Sequence, residues 1–119
     1  DTLRSVARAL RGAVRGDDLL FRIGGDEFAA LLPDMDTAAA RRVAERLVRV
    51  AATTLDAVGA SLSVGVAALV PGEPTTEALR RADRSLYQAK RSGRGTVCMG
   101  NEPAAATEQV IAGRAAKMR

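Results

Sequence analysis

The feature that most constrains the fold is a pair of short apolar runs separated by two adjacent glycines. Residues 19–23 read Leu-Leu-Phe-Arg-Ile, Gly24 and Gly25 follow, and residues 26–32 continue Asp-Glu-Phe-Ala-Ala-Leu-Leu. Two such runs joined by a glycine turn are typical of a β-hairpin. The glycines also permit a close backbone approach to a ligand, with exposed N–H groups. The sequence therefore predicts a sheet that contains this hairpin.

Helical periodicity flanks the hairpin on both sides. Apolar residues that recur at spacings of three and four predict three amphipathic helices, over about residues 1–14, 37–51 and 75–91. Asp34 and Asp36 are candidate N-caps for the second helix, and Thr75 or Thr76 for the third.

Two further strands and a tail complete the predicted order. Residues 61–70 are apolar and β-branched enough for a central strand, and residues 96–99 form a short last strand. The alanine-rich segment after Pro103 is predicted as a loose helix, with a linker as the alternative. This order predicts the α+β class, with an antiparallel-rich central sheet flanked by helices.

Composition limits the number of domains and the partner. The chain has 119 residues, 47% of them apolar, which suits one domain with a buried core. Its 18 Lys and Arg against 14 Asp and Glu give a formal net charge of +4, which favours an anionic partner such as a nucleotide, a nucleic acid or a lipid headgroup. Aromatic residues make up only 3%, so the stacking platform of a nucleic-acid binder is nearly absent and no nucleic-acid partner is expected.

Composition also limits the metal chemistry and the compartment. Cys98 is the single cysteine and the chain has no histidine, so a Cys/His zinc site is excluded and any metal must be held by carboxylate oxygens. No apolar run approaches the length of a membrane span, and nothing at the start resembles a signal peptide. We expect a cytoplasmic domain, whose parent protein could still be anchored in a membrane.

The sharpest candidate for a functional site is the glycine turn with the two acids that follow it, Asp26 and Glu27. Adjacent residues at the start of a strand point to opposite faces, so only one carboxylate is expected to face a given ligand. A carboxylate beside a glycine-lined phosphate cradle suits Mg²⁺ bound to a nucleotide, since Mg²⁺ takes hard oxygen ligands and shares them with phosphates. The structural alternative, an ordinary hairpin with solvated acids, is favoured on these residues alone because such turns are common.

Five ordered matches make the chain resemble the GGDEF family of diguanylate cyclases. The signature Gly-Gly-Asp-Glu-Phe stands intact at residues 24–28, and the resemblance runs from residue 1 to about residue 99. The other matches, in family order, are Arg-Gly-Asp-Asp at 15–18, Ser-Val-Gly-Val-Ala at 63–67, Ala-Asp at 82–83 with Leu-Tyr-Gln-Ala-Lys at 86–90, and Ser-Gly-Arg at 92–94. The resemblance implies a nucleotidyl-cyclase-like fold that condenses two GTP molecules into cyclic di-GMP. It also implies a divalent metal, Mg²⁺ or Mn²⁺, and a homodimer as the active unit.

The resemblance assigns roles around the signature. Asp26 takes the family's metal-ligand position, and Glu27 sits where a second acid assists at the active site. Gly24 and Gly25 supply the backbone that approaches the substrate closely.

The resemblance also assigns Lys90 and Arg94 to the grip on the triphosphate. Their spacing of four around the end of the third helix would let both reach one anion. The alternative is the ordinary gathering of cations at a helix C-terminus. The family usually continues Gly-Arg-Asn where this chain has Gly95, which removes one polar partner.

Arg15 and Asp18 form the Arg-x-x-Asp pattern that in this family is an inhibitory product site on the face away from catalysis. Arg46 aligns with the arginine that completes the site from the neighbouring helix. An Arg fork can engage guanine or phosphate acceptors while a carboxylate takes the guanine N–H edge. The alternative is a helix-exit turn with a solvated ion pair. Asp83 and Tyr87 are interpreted as structural, as a buried hydrogen-bonded acid and a packed ring.

Several family residues have no counterpart in this sequence. The family's first strand carries an Asp-x-Asp motif with the other metal ligand, and the helix after it carries residues that read the guanine. Asp1 does not fit the spacing of the guanine-reading Asp and receives no role. We expect a GGDEF fold without its first strand and helix, truncated at its N-terminus. Since the missing strand is central, we also expect an exposed sheet edge and an incomplete core.

The predicted organisation is a partial GGDEF domain over residues 1–100 and a tail over residues 101–119, with a sensory domain expected upstream in the full-length protein. Two functions remain open. The first is a diguanylate cyclase, inactive as the isolated chain because the other metal ligand and the guanine readers are missing. The second is a non-catalytic cyclic di-GMP receptor that keeps only the Arg15 and Asp18 site. The intact signature favours the enzyme, because a receptor does not need a metal-binding carboxylate.

Overall fold

The computed structural model describes residues 2–100 and 106–117, which form three α-helices, a short 3₁₀ helix and five strands. In chain order the elements are α1 (Thr2–Ala13), β1 (Leu19–Arg22), β2 (Glu27–Leu32), α2 (Thr37–Leu55), the 3₁₀ turn (Asp56–Val58), β3 (Ala60–Ala68), α3 (Thr75–Arg91), β4 (Val97–Met99) and β5 (Gln109–Lys117). No helix in these ranges is long and apolar enough to cross a membrane.

The helices begin and end where local chemistry favours it. Asp36 caps α2 as predicted, because its side chain accepts a hydrogen bond from the backbone N–H of Ala39 at 2.8 Å. The prediction of a threonine cap for α3 was wrong: Pro74 occupies the N-cap and makes no side-chain cap. At the other end of α3, Gly93 adopts a φ of 118°, which a glycine tolerates and which turns the chain out of the helix.

The five strands form one sheet in the order β1-β2-β5-β3-β4. The β1–β2, β2–β5 and β3–β5 pairs are antiparallel, and β3–β4 is parallel. The prediction of an α+β fold with an antiparallel-rich central sheet flanked by helices is therefore confirmed.

The prediction for the C-terminal segment was wrong. Residues 109–117 are neither helix nor linker but β5, which pairs along its whole length with β3 and over six residues with β2. Without β5, the facing edges of β2 and β3 would leave their backbone N–H and C=O groups unpaired. The hydrogen bonds that pair these groups stabilise the strand by more than the helix preference of alanine opposes it. The expected exposed edge is therefore absent at this position, because β5 occupies the gap between β2 and β3.

Buried side chains cover both faces of the sheet. On one face, α1 and α2 pack against alternate residues of β2, β3 and β5, among them Phe28, Leu62 and Ile111. On the other face, α3 lies so close to β3 that a Cβ on Gly65 would collide with backbone atoms of Ala82 and Leu86. The core at the centre of the sheet is thus filled from both sides.

Candidate functional site

The tip of the β1–β2 hairpin is an open turn. The N–H of Ile23 donates to the carbonyl of Glu27 at 2.9 Å, and the guanidinium of Arg22 donates to the carbonyl of Gly25 at 2.7 Å through Nη2. Gly24 and Gly25 are exposed. A Cβ on Gly25 would meet nothing within 4 Å, and one on Gly24 would approach only Glu27, whose Oε2 lies at 3.8 Å. The space beside the glycines is therefore free for a ligand.

Asp26 and Glu27 share one cationic partner at this tip. Nε of Arg114 lies 3.4 Å from Oδ1 of Asp26, and Nη2 of Arg114 lies 3.4 Å from Oε1 of Glu27. The expectation that the two acids face opposite sides was wrong, because Asp26 still belongs to the turn and β2 begins only at Glu27. Each of the three side chains keeps about 40% of its surface exposed.

A cavity of about 300 Å³ opens beside these residues, between the start of β2, the middle of β5 and one side of α3. Its polar lining combines two acids, two cations and a phenol. These side chains are Glu27, Asp83, Tyr87, Lys90 and Arg114. The volume is at the lower end of the range for small-molecule sites.

Asp83 and Tyr87 are not the buried, packed residues that the sequence suggested. Tyr87 is 57% exposed, and the guanidinium of Arg91 lies 5.7 Å from the centre of its ring. The pKa of Asp83 is raised, mainly because partial burial disfavours the charged carboxylate and further because the Glu27 carboxylate is nearby, while Lys90 opposes the shift. Both residues thus contribute to the cavity rather than to the core.

The structure brings two of the predicted site residues into the cavity, whereas the two glycines and Asp26 lie at the hairpin tip and are not among the lining residues. Lys90 and Glu27 line the same cavity. Arg94 lies beyond the end of α3, with a φ of 60°, and is not among the lining residues. The grouping also contains Arg114, which the sequence reasoning missed because its segment was not predicted as a strand.

The carboxylates suit a metal shared with a substrate better than a closed protein cage. The described residues contain no group of three or more Asp, Glu, Cys or His side chains that could hold a metal ion. Mg²⁺ commonly takes one or two carboxylates and completes its shell with substrate phosphates and water. The exposed oxygens of Asp26 and Glu27 beside an open glycine turn fit that arrangement.

A second group of predicted residues lies at the opposite end of the β1–β2 hairpin. The Asp18 side chain is fully buried and accepts hydrogen bonds from the Arg15 backbone N–H at 2.8 Å and from Arg15 Nη2 at 3.0 Å. Arg15 Nη2 also donates to the carbonyl of Pro33 at 2.6 Å, and Arg46 Nη1 donates to the carbonyl of Ala13 at 3.1 Å. The Asp18 carboxylate of this ion pair is therefore not solvated.

Both arginines of this second group keep hydrogen-bonding capacity. Within the described residues, Nη1 of Arg15 and Nη2 of Arg46 have no hydrogen-bond partner. Both residues are exposed, and both are anchored near the end of α1. Their remaining N–H groups are available to a ligand with oxygen or nitrogen acceptors.

The chain belongs to the GGDEF family, because the family described as "Diguanylate cyclase, GGDEF domain" matches residues 1–96. Among curated relatives, it is 39% identical over 105 residues to "Response regulator PleD" of Caulobacter vibrioides, an alignment that covers 82% of this chain and 23% of PleD. It is 42% identical over 104 residues to "Diguanylate cyclase DosC" of Escherichia coli, covering 82% of this chain and 22% of DosC. The chain thus spans less than a quarter of the length of these relatives.

A solved structure supports the same family and fold. The diguanylate cyclase SiaD of Pseudomonas aeruginosa, crystallised in complex with its activator SiaC, superimposes with a TM-score of 0.64 and 30% sequence identity. The match covers 83% of this chain and 40% of the SiaD chain. Both DosC and SiaD are named as diguanylate cyclases.

Proposed function

We propose that this chain is the core of a diguanylate cyclase, which joins two GTP molecules into cyclic di-GMP with the help of a divalent metal. The observation that carries the proposal is the open Gly24-Gly25 tip, where two exposed carboxylates lie beside a cavity that Lys90 also lines. GTP suits this site, because its phosphates can bind Lys90 and their oxygens can also serve as ligands of the metal.

Each residue of the tip has a defined part in the proposed reaction. Mg²⁺ or Mn²⁺, when bound, would stabilise negative charge on the reacting phosphate. Asp26 would hold this ion, and Glu27 would act as the second acid beside it. Gly24 and Gly25 admit the phosphates, and Lys90 binds them by charge. The 3′-hydroxyl of each GTP attacks the α-phosphate of the other in line, and each of the two attacks forms one phosphodiester bond and releases one pyrophosphate and one proton.

Two parts of the proposal rest on the family resemblance more than on contacts. A homodimer brings the two GTP molecules together, one from each domain. Arg94 contributes to triphosphate binding as the resemblance implies. For this role its side chain has to turn towards the cavity, since it is not among the lining residues.

We also assign Arg15, Asp18 and Arg46 to a product site for cyclic di-GMP. The unpartnered N–H groups of the two arginines would bind phosphate or guanine acceptors, and the rigid Asp18 contact would hold Arg15 in place. The site lies at the other end of the hairpin from Asp26, so product bound there would not occupy the catalytic tip.

One observation favours the receptor as a second candidate. The guanidinium of Arg114 lies 3.4 Å from a carboxylate oxygen of each of the two signature acids, so neither acid is without a protein partner. A receptor that binds cyclic di-GMP through Arg15 and Asp18 would need neither the metal nor the free acids.

The test of the cyclase is Asp26→Asn in the complete protein. The substitution keeps the shape of the side chain and removes the metal-binding charge, so turnover of GTP should fall below detection while cyclic di-GMP binding is retained. Asp56→Asn, at the far end of α2, is the matched control and should leave both unchanged. Unaltered turnover in Asp26→Asn would contradict the metal role.

The isolated 119-residue chain should itself give no cyclic di-GMP from GTP and Mg²⁺. Asp26 is its only carboxylate at a family metal-ligand position, and the sequence lacks the family's guanine readers. A misplacement of one ångström can lower the rate of such an in-line reaction on the order of a hundredfold. Chromatography of the products checks this, with a longer chain that supplies the family's first strand as the active control. Product from the 119-residue chain would overturn the expectation. Failure of a folded, dimeric longer chain would favour the receptor.

A further inference from the structure

The layer formed by α1 and α2 carries more than the whole excess of positive charge of the chain. The two helices pack side by side on one face of the sheet. Of the 18 Lys and Arg and the 14 Asp and Glu in the sequence, they hold seven arginines and a single acid, Glu45. The rest of the chain therefore has a small excess of acids, although the net charge of the chain is +4.

Helical periodicity directs these arginines away from the core. In α1, Arg4, Arg8 and Arg11 recur at spacings of four and three and so share one side of the helix. The buried Val6 and Leu10 lie on the other side. All seven arginines of the two helices are exposed, and together they define the arginine face: Arg4, Arg8, Arg11, Arg41, Arg42, Arg46 and Arg49.

Most charges of the arginine face are not neutralised by the protein. Among the described residues, no carboxylate lies within ion-pair distance of five of its members: Arg8, Arg11, Arg41, Arg42 and Arg49. On α3, by contrast, Arg80 and Arg81 each pair with a glutamate at 2.6 Å. Like charges gathered on one surface repel one another, so an anionic partner at the arginine face would relieve this repulsion.

A concavity at the border of the arginine face is large enough for a single headgroup. A cavity of about 480 Å³ opens between α2 and residues 95–97. Arg41 and Arg49 line it together with Glu45, which is the one anionic group in its lining. The guanidinium groups of the two arginines can bind a phosphate that enters this space, because their planar forks match phosphate oxygens.

The shape and composition of the arginine face favour a bilayer over a nucleic acid. Neither α1 nor α2 contains an aromatic residue, so no platform is available on which the bases of a single strand could stack. The phosphates of a duplex are fixed along a curved backbone, whereas lipid headgroups move within a plane. Headgroups can therefore adjust to arginines spread over two adjacent helices and can enter the concavity singly.

We propose that the arginine face docks the domain on a bilayer surface that is rich in anionic phospholipids. The domain lies on the headgroups without inserting, because the arginine face offers charge rather than large apolar side chains. The cavity that contains Lys90 is lined by α3, on the opposite face of the sheet, so it stays open to water in the docked state. The inference goes beyond the proposed function and requires neither metal nor nucleotide.

The test is the binding of the 119-residue chain to vesicles of equal parts phosphatidylcholine and phosphatidylglycerol, measured by co-sedimentation. The wild type should bind at low salt and dissociate at about 0.5 M salt, where charges are strongly screened. A triple variant, Arg8→Gln with Arg41→Gln and Arg49→Gln, should bind on the order of a hundredfold more weakly. Each basic residue close to an anionic surface contributes on the order of fivefold to the affinity.

Matched variants separate the arginine face from net charge alone. Arg80→Gln with Arg84→Gln and Arg91→Gln removes the same charge from exposed positions of α3 and should weaken binding by no more than about threefold. Lysine at the three positions of the first variant keeps the charge and should preserve binding. If the first variant does not fold, Arg11→Gln with Arg42→Gln replaces it, with an expected loss on the order of twentyfold.

Each outcome decides for or against the docking surface. A loss in the arginine-face variant that the α3 variant does not share supports it. Equal losses in both variants, or equally strong binding to vesicles of pure phosphatidylcholine, overturn it. Absence of vesicle binding by the folded wild type also overturns it. A DNA duplex that binds the wild type as tightly as the anionic vesicles do, with the same loss in the variant, overturns the lipid partner. The cyclase proposal is untouched by any of these results, because GTP turnover is not what they measure.

Discussion

The two ends of the β1–β2 hairpin carry the same chemistry, an arginine beside a carboxylate, in opposite physical states. At the tip, Arg114 meets Asp26 at 3.4 Å and both side chains are about 40% exposed. At the base, Arg15 meets Asp18 at 3.0 Å, and the Asp18 carboxylate is fully buried and also accepts a backbone N–H.

This difference indicates which acid is structural and which is available to a ligand. A buried carboxylate must keep its hydrogen bonds, because losing them leaves an unsatisfied charge away from water. An exposed one can exchange its partner for a metal or for water at little cost. By this criterion Asp18 holds the turn in place. The group at that end that remains available to a ligand is the guanidinium of Arg15.

The largest effect is expected on ligand binding at the base of the hairpin. Arg15→Ala should weaken cyclic di-GMP binding on the order of tenfold to a hundredfold, because it removes charge-assisted hydrogen bonds to the product. Calorimetry on the folded chain measures this, with Arg11→Ala on α1 as the control. If the folded wild-type chain binds no cyclic di-GMP, or if Arg15→Ala binds as well as wild type, the product site is wrong.

A smaller effect is expected on stability, and it should differ between the two acids. Asp18→Ala should lower the free energy of unfolding by about 1 to 3 kcal/mol, since the buried carboxylate accepts three hydrogen bonds from Arg15. Asp26→Ala should change it by less than about 0.5 kcal/mol, because its ion pair is exposed. Urea unfolding of both variants is the measurement. Equal losses would contradict the distinction between the two ends.

The smallest effect is expected for a third ion pair, Arg81 with Glu73. The exposure of its acid lies between those of Asp18 and Asp26. Glu73 accepts hydrogen bonds from Arg81 and from the N–H of Val70, and these lower its pKa from 4.5 to about 2. Because the folded-state pKa is depressed, the ionised group contributes stability that is complete above pH 4.5 and is lost as the pH falls towards 2. An NMR titration of the Glu73 carboxyl should show the low pKa, and Arg81→Gln should raise it. A wild-type value near 4.5 would contradict the contact.

Most of the fold was accessible from the sequence because its signals are local. The hairpin and the three helices follow from local patterns, and Asp36 was one of two candidate caps of α2, with Asp34 as the other. The strand β5 was not accessible, because its alanines favour a helix in isolation. What determines its structure is the gap between β2 and β3, which no local pattern reveals.

The site was partly predicted for the same reason. The signature and Lys90 could be located from the motif, whereas the place of Arg114 beside Asp26 depends on the pairing of β5 with β2. The exposure of Asp83 and Tyr87 was also missed, since a helical position does not say whether a neighbouring strand covers it.

The central place of β5 has a consequence for how the chain acquires its structure during synthesis. β5 follows every other strand in the sequence, yet it joins the β1–β2 pair to the β3–β4 pair. Until it leaves the ribosome, two half-sheets each present an unpaired inner edge, which is the kind of surface that recruits other chains. Contacts as distant in sequence as Glu27 with Arg114 require the closure of a long loop, so folding should be slow for a domain of this size.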